Sequence, residues 1–243
     1  FSTTSGKQVT FSYVLATHVL TIVANDPPLP GTGQQQAFWV DRQTLAWPKS
    51  LLLNGAAVTG GFESQGLIGV NPSTQASWFL AVPKGPEITA VRADPAGGQW
   101  ALLNVLSPTQ VGGRSLGSST TFDVVRLHVN AQGAIDTVTP VASTPKTTSL
   151  MASALGPEGT AVAIISGGTA LSTLGTTENN ALVQLDAAGQ RSVTGFAMSA
   201  GAQSAQIAFE GSLVAWAMNV NSGQSTLWFS SAGQLTSKTI TGG

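Results

Sequence analysis

A turn-and-strand pattern occurs three times in the second half of the chain, and this repeat restricts the possible folds more than any other feature of the sequence. Each copy has a glycine turn, an apolar strand, a polar loop, and an alternating strand that ends in another glycine turn. The first turns contain Gly98, Gly159 and Gly211, and the second turns contain Gly133, Gly189 and Gly233. Because glycine-rich turns between β-favouring runs are typical of hairpins, each copy is predicted to form an antiparallel sheet.

The predicted strands fill the whole length of the chain. In the three copies they are residues 99–105, 124–129 and 135–141, then 160–165, 182–186 and 192–198, then 212–218, 227–229 and 235–240. The first half is less regular: residues 9–16, 18–24, 37–42 and 50–53 form one predicted unit, 66–70 and 76–82 belong to a compact second unit, and 88–93 begin the third. No window of about twelve residues has a helical apolar period, so the chain is predicted to be all-β, with about five four-stranded units.

The polar loops of the three copies differ in length while the rest of each unit stays nearly constant. They are residues 107–120, 166–180 and 219–225. Variable, glycine-rich connections that leave the same edge of each sheet are typical of the binding face of a repeat protein. We therefore expect this loop edge to carry the function.

The three glycine-to-glycine units cover roughly the last 150 residues, and on their strength the sequence resembles bacterial extracytoplasmic β-propeller proteins. The resemblance concerns architecture, since the sequence has no Trp-Asp blade ending and no Asp-box. It implies one β-propeller domain over residues 1–243, either complete or part of a longer chain. A pair of β-sandwiches is the alternative, because sandwiches also use short strands and glycine-rich turns.

Charge and cysteine content limit the possible partners. Charged residues make up 9% of the chain, and 10 Lys and Arg balance 11 Asp and Glu. With a formal net charge of −1, the chain has no long-range field that would attract nucleic acid. It has no cysteine, which excludes disulfides and thiolate chemistry. We predict no cofactor, no nucleic-acid partner and no membrane span.

We expect the protein to be extracellular, at the cell surface or periplasmic. Its small fraction of charged residues implies a surface rich in Ser, Thr, Gln and Asn, a composition common in secreted bacterial proteins. The chain begins at Phe1, which fits a signal-cleaved protein or a segment of a longer one. Asn71-Pro72-Ser73 is blocked as a glycosylation acceptor by its proline, and a bacterial source is favoured.

Few residues offer catalytic chemistry. Asp26, Asp94 and Glu158 would be the carboxylates of a glycosidase-like site, which needs two acids flanking one bond. Each lies beside a proline, so we favour a role in turns. His18 and His128 have no acidic cluster spaced for a shared metal, and we predict structural or surface roles for both. No residue is assigned a catalytic or metal-binding role.

Three places in the sequence are candidates for binding. Trp47 precedes a Pro-Lys turn and is the tryptophan expected to be exposed, while most of the six tryptophans should pack between blades. Arg114 lies in a glycine-rich segment, residues 112–117, interpreted as a flexible loop that could meet an anionic group. The most acidic loop segment contains the candidate binding residues Glu178, Asn179 and Asn180, with at most a weak calcium site.

These observations predict a non-catalytic binding or scaffolding module that mediates protein–protein assembly. A carbohydrate-binding, lectin-like propeller is the first alternative, and it would require exposed tryptophans such as Trp100 and Trp216 at equivalent places in several blades. A glycosidase-like propeller enzyme is the second. The partner is expected to be a protein or a larger surface assembly, with a glycan as the alternative.

Overall fold

The computed structural model describes residues 9–14, 19–24, 36–41, 51–53, 56–58, 65–70, 77–82, 85–94, 98–197, 202–210, 213–220, 224–231 and 234–241. Within these ranges the chain forms β-strands and two short 3₁₀ segments, Pro157–Gly159 and Gly168–Leu174. The strands are β1 (Val9–Val14), β2 (Val19–Ala24), β3 (Gln36–Asp41), β4 (Leu51–Leu53), β5 (Ala56–Val58), β6 (Gln65–Val70), β7 (Ser77–Val82), β8 (Pro86–Ala93), β9 (Gln99–Val105), β10 (Thr109–Val111), β11 (Arg114–Leu116), β12 (Thr121–Val129), β13 (Ile135–Pro145), β14 (Ser149–Leu155), β15 (Ala161–Ser166), β16 (Asn180–Leu185), β17 (Arg191–Phe196), β18 (Ala202–Glu210), β19 (Leu213–Val220), β20 (Gln224–Ser231) and β21 (Gln234–Thr241). The prediction of an all-β chain is confirmed. The described helical segments are too short and too polar to span a membrane.

The second half of the chain forms three antiparallel sheets of four strands each. Sheet III contains β8, β9, β12 and β13, sheet IV contains β14 to β17, and sheet V contains β18 to β21. In each sheet the strands lie side by side in chain order, and the hairpin β10–β11 is inserted between β9 and β12 of sheet III. The three repeated units of the sequence are therefore three sheets of the same topology.

The first half departs from the predicted grouping of strands. Sheet I contains β1, β2, β4 and β5, and sheet II contains β3, β6 and β7. The prediction that residues 37–42 belong to the first unit is wrong, since β3 pairs with β6 over six residues, including Phe38 with Ile68. β4 has three residues and pairs with β2 in parallel. Because β6 is longer than β4, pairing with β6 satisfies more of the backbone N–H and C=O groups of β3 than pairing with β4 would.

The sheets of the second half pack against one another in succession. Strand residues alternate between the two faces of a sheet, and both faces of sheets III and IV are apolar and buried. One face of sheet III packs on sheet II through Leu103 and Leu67. Its other face packs on sheet IV through Leu102 and Ile165. The opposite face of sheet IV packs on sheet V, and Ile164 belongs to the apolar cluster between these two sheets.

The first strands of successive sheets lie next to each other. β3 contacts β8, β8 contacts β14, and β14 contacts β18. A hydroxyl–hydroxyl hydrogen bond of 2.9 Å between Thr89 of β8 and Ser153 of β14 links two of them directly. Sheets II to V are thus arranged in chain order, with their first strands on a common side.

The repeated glycine turn has a packing cause in sheet IV. Gly159 has a φ of 72°, and a Cβ at this position would overlap the ring of Trp100 in sheet III. A Cβ at Gly156, in the same turn, would overlap the ring of Phe209 in sheet V. The turn therefore lies between aromatic rings from both neighbouring sheets, and only glycine permits this approach. In sheet III, Gly98 lies instead against the backbone carbonyl of Val129 in its own sheet.

Candidate binding site at the loop edge

The longest connections of sheets III and IV leave the same edge of the stacked sheets. Residues 106–120 join the second and third strands of sheet III, and residues 167–179 join those of sheet IV. The two sheets are connected at this edge by a short turn between Pro145 of β13 and Ser149 of β14, and Ser149 pairs with Ser166 at the start of the sheet IV connection. We call this side the loop edge, and the opposite side, with the β8–β9, β12–β13, β14–β15 and β16–β17 connections, the turn edge.

A cavity of about 360 Å³ opens at the loop edge between sheets III and IV. Sheet III contributes Asn104, Leu106 and Phe122 to its wall. The β13–β14 connection and the start of β14 contribute the remaining walls, which include Lys146, Ser149 and Leu150. The cavity thus continues the apolar interface of the two sheets outward to the surface.

The apolar wall of the cavity is partly core and partly exposed. Phe122 is 3% exposed and belongs to the core cluster between sheets III and IV, and Leu150 packs against the same cluster. Leu106, by contrast, is 49% exposed, and it is the large apolar side chain left open to solvent in the part of the chain whose side chains are described. An exposed leucine beside an apolar cavity marks a surface suited to bind an apolar group.

Asn104 and Lys146 are polar residues of the cavity wall, and Lys146 adds a positive charge. The Oδ1 atom of Asn104 is buried and has no hydrogen-bond partner among the described residues. A buried acceptor without a partner is unfavourable, and this atom is not accessible from the open cavity. The side chain of Lys146 is exposed, and no carboxylate pairs with its ammonium group within the described ranges.

The turn that carries Lys146 is fixed by hydrogen bonds. The backbone N–H of Lys146 donates to the carbonyl of Thr120 at 2.8 Å. The hydroxyl of Thr148, which is buried, donates to the carbonyl of Pro145 at 2.7 Å and also lies 2.9 Å from the hydroxyl of Thr144, within hydrogen-bonding distance. The cavity wall is therefore held in place before any ligand binds, which lowers the entropic cost of binding.

Arg114 lies away from the cavity, because the connection that carries it leaves the loop edge and folds back along sheet III towards Ile135 and Val138 of β13. The segment interpreted as a flexible loop is instead the β10–β11 hairpin, with Gly112 and Gly113 at its tip and with Val111 and Leu116 buried. Arg114 follows this tip, is exposed, and donates a hydrogen bond of 2.5 Å to the carbonyl of Val138 on β13. The buried apolar pair explains why a glycine-rich polar segment is ordered here.

The Glu178-Asn179-Asn180 segment lies at the loop edge, but it does not line the cavity. Asn180 is the first residue of β16, is 2% exposed, and donates from its side chain to the Oδ1 atom of Asn179 at 2.8 Å. The carbonyl of Asn179 accepts hydrogen bonds from the N–H groups of Gly167 and Gly168. Glu178 is half-buried and its N–H donates to Thr176. Trp47 lies outside the described residues.

The cavity residues gave no motif in the sequence. Asn104 and Leu106 end an apolar strand, and Lys146 lies between Pro145 and two threonines in what looks like an ordinary turn. The usable signal was positional, since Asn104 and Leu106 border the variable loop of residues 107–120 at the predicted binding edge. Which of these residues face one cavity depends on how sheets III and IV pack.

At the turn edge, His128 lies between two carboxylates that the sequence analysis did not associate with it. Its Nδ1 atom is 2.7 Å from Asp136, in hydrogen-bonding geometry. Its Nε2 atom is 3.1 Å from a carboxylate oxygen of Asp94, without hydrogen-bond alignment. Because the carboxylates face opposite ring nitrogens, they cannot share one metal ion with His128. The described residues contain no group of three side chains that could hold a metal.

The other residues considered for catalysis are separate from this histidine. Glu158 is exposed in the β14–β15 turn, where its φ is 54°, and Asp26 and His18 lie outside the described residues. Both nitrogens of His128 face carboxylates, so in this arrangement it has no nitrogen directed at an open cleft to act as a base. The cluster is best understood as a cross-strand link between the β8–β9 turn, β12 and β13.

Arg126 joins sheets III and IV at the turn edge. It is 3% exposed, and its guanidinium donates hydrogen bonds of 2.8 Å to the carbonyls of Gly159 and Asp186 in two turns of sheet IV. The guanidinium carbon lies 4.8 Å from the centre of the Trp100 ring. Burial lowers the pKa of Arg126, and the nearby Asp186 carboxylate opposes this shift. Trp100 is thus covered by Arg126 and Gly159, which leaves its face unavailable for stacking on a sugar.

Comparison with protein-family models, with curated proteins and with solved structures finds no match to this chain. The candidate site therefore rests on the geometry of its own residues. That geometry combines a partly apolar cavity, an exposed leucine and a lysine without a carboxylate in the described residues, all at the edge with the longest connections.

Proposed function

We propose that this chain is a β-propeller of about five blades that acts as a non-catalytic binding and assembly module outside the cytoplasm. It holds a protein partner at the loop edge. The observation that carries this proposal is the cavity of about 360 Å³ between sheets III and IV, with Leu106 exposed beside it.

The propeller architecture is supported by the packing of sheets II to V. Each sheet packs face to face on the next, and their first strands are neighbours. In a propeller the first strand of every blade lines the axis, and the connections between second and third strands lie on one face. Sheet I would be the remaining blade.

A protein partner is supported by the composition of the loop edge. The cavity is small beside the clefts that hold oligosaccharides, but it suits one side chain of a partner. The ordered connections around it would add a polar, nearly neutral rim, as protein interfaces usually have. A chain with 9% charged residues suits an extracytoplasmic location.

Site-specific photo-crosslinking tests this proposal. A photoreactive amino acid is introduced at Leu106 in the full chain, which is produced in the organism that carries its gene. The matched control carries the same group at Ala187, an exposed residue of the β16–β17 turn at the turn edge. We expect a discrete protein adduct at position 106 and none at position 187. No adduct at position 106, or the same adducts at both positions, would refute a loop-edge partner.

A further inference from the structure

We infer that the partner held at the loop edge is a second copy of this chain, bound face to face about a two-fold axis at the cavity between sheets III and IV. This inference rests on the proposed function and names the partner of the same site. In the dimer each copy places Leu106 at the cavity of the other copy, and Lys146 of each copy lies beside Glu87 of the other.

Four residues of this contact follow one another across the loop edge of sheet III. The strands of the sheet lie side by side in the order β8, β9, β12 and β13. Glu87 is the second residue of β8, Leu106 directly follows β9, Phe122 is the second residue of β12, and Lys146 directly follows β13. The row therefore consists of a negative charge, an exposed apolar side chain, an apolar cavity wall and a positive charge.

The register of the strands places this row on the side of sheet III that borders the cavity. Glu87 pairs with Asn104, and Asn104 pairs with Val124, so the three residues share one face. Val124 and Phe122 belong to the core cluster between sheets III and IV, which identifies this face as the one towards the cavity. Leu106 lines the cavity beside Asn104.

The two charges at the ends of the row are exposed and do not pair with each other. The ion-pair contacts within the described part of the chain are both made by His128, at the turn edge. Glu87 and Lys146 are exposed, and their strands are three strand spacings apart, about 14 Å. Each charge is therefore left for a group on another molecule.

A row of this kind is complementary to itself. A two-fold axis between β9 and β12 brings the first member of the row in one copy opposite the last member in the other, and the second opposite the third. Leu106 of each copy then meets Phe122 at the cavity of the other, while Glu87 meets Lys146. A partner of another sequence would have to supply this arrangement on a separate surface, whereas a second copy already carries it.

The size of the cavity agrees with this contact. Its volume of about 360 Å³ is at the low end of the range of roughly 300–1,000 Å³ for ligand pockets, so it admits one large side chain. Phe122 and Leu150 provide apolar contact for the leucine of the other copy. A row of four residues is smaller than the interfaces of permanent dimers, which bury more than about 2,000 Å², so we expect a dimer that exchanges its subunits.

Analytical ultracentrifugation of the full chain over a series of concentrations tests the inference. We expect a concentration-dependent dimer of the wild-type chain. Leu106→Asp should weaken dimerisation about ten- to hundred-fold, because two leucines per dimer lose their apolar contact. The matched control is Ala187→Asp, at an exposed position of the turn edge, which should dimerise like the wild-type chain. A wild-type chain that stays monomeric up to millimolar concentration, or equal effects of the two variants, would overturn the inference.

Charge reversals test the two-fold symmetry. Lys146→Glu and Glu87→Lys each place like charges opposite one another at two contacts per dimer. One exposed ion pair contributes about two- to five-fold, so the loss of both should weaken dimerisation at least about four- to 25-fold. Mixed in equal amounts, with one variant fluorescently labelled, the two variants should form a heterodimer of wild-type affinity, because opposite charges then meet at both contacts.

A third variant controls for a general effect of charge. Lys238→Glu makes the same change at an exposed position on β21 of sheet V. It should dimerise like the wild-type chain, and its mixture with Glu87→Lys should not reach wild-type affinity, because one of the two contacts still joins like charges. No heterodimer of Lys146→Glu with Glu87→Lys, or wild-type affinity in both mixtures, would show that the copies do not meet through this row.

The outcome is distinguishable from that of the crosslinking experiment. An adduct at position 106 with twice the mass of the chain supports both proposals. An adduct of another mass, together with a monomeric chain, would keep the proposed function and overturn the second copy as the partner. Dimerisation with the expected charge dependence but no adduct in the organism would support the two-fold contact and refute assembly on this face in the cell.

Discussion

Replacing Gly159 with alanine should destabilise the protein by about 2–5 kcal/mol. The backbone contributes first, because an alanine at a φ of 72° has a left-handed conformation that costs about 1–2 kcal/mol. The new methyl group would also overlap the Trp100 ring, which is held between Gly159 and Arg126 and cannot easily move. Such overpacking costs about 1–3 kcal/mol. Urea unfolding of the full chain, followed by tryptophan fluorescence, measures the sum.

Two further variants isolate the contribution of the ring. Gly113 has a φ of 74° and no atom near the position of an added Cβ, so Gly113→Ala should show the backbone cost alone, about 1–2 kcal/mol. In a Trp100→Ala background, Gly159→Ala should likewise fall to about 1–2 kcal/mol. If Gly159→Ala and Gly113→Ala cost the same in the wild-type chain, the ring does not constrain the turn and the packing explanation of the repeated glycine is wrong.

Two other contacts between sheets can be tested in the same assay. Arg126→Met keeps much of the side-chain volume but removes both hydrogen bonds to sheet IV, so unfolding should be easier by about 2–3 kcal/mol, while Arg191→Met, at an exposed arginine, should change stability by less than about 0.5 kcal/mol. A loss below about 1 kcal/mol for Arg126→Met would show that these bonds do not hold the sheets together. Thr89→Val removes the hydroxyl that bonds Ser153 and should cost about 1 kcal/mol; a stability equal to that of the wild-type chain would contradict a direct link between β8 and β14.

The repeat made the second half of the fold predictable, and its absence made the first half difficult. Turn glycines such as Gly133 and Gly189 marked hairpins of consecutive strands, and local turn chemistry is sufficient for such pairings. β3 pairs with β6 across the intervening β4 and β5. No local turn signal specifies such a pairing. The partner of β3 depends on which distant strand can pair with it over more residues.

The candidate site was predictable in position and only partly in composition. The variable loops indicated the edge at which the cavity lies, yet Asn104 and Lys146 carry no signal that would link them, since one lies near the end of β9 and the other in the turn before β14. The pairing of His128 with Asp94 and Asp136 was missed for a related reason. Both acids lie in or beside hairpin turns, and only the register of β12 with its neighbours brings them to the ring.

The turn from Gly156 to Gly159 has consequences for recombining this protein. Trp100 from one side and Phe209 from the other are accommodated by glycines of a single turn. In a chimera with sheet IV from another protein, the residues of the imported β14–β15 turn would therefore contact both rings. Compatibility is a property of each boundary between neighbours, so an exchangeable module of this chain should extend from before Trp100 to beyond Phe209, with each aromatic ring kept together with its glycine.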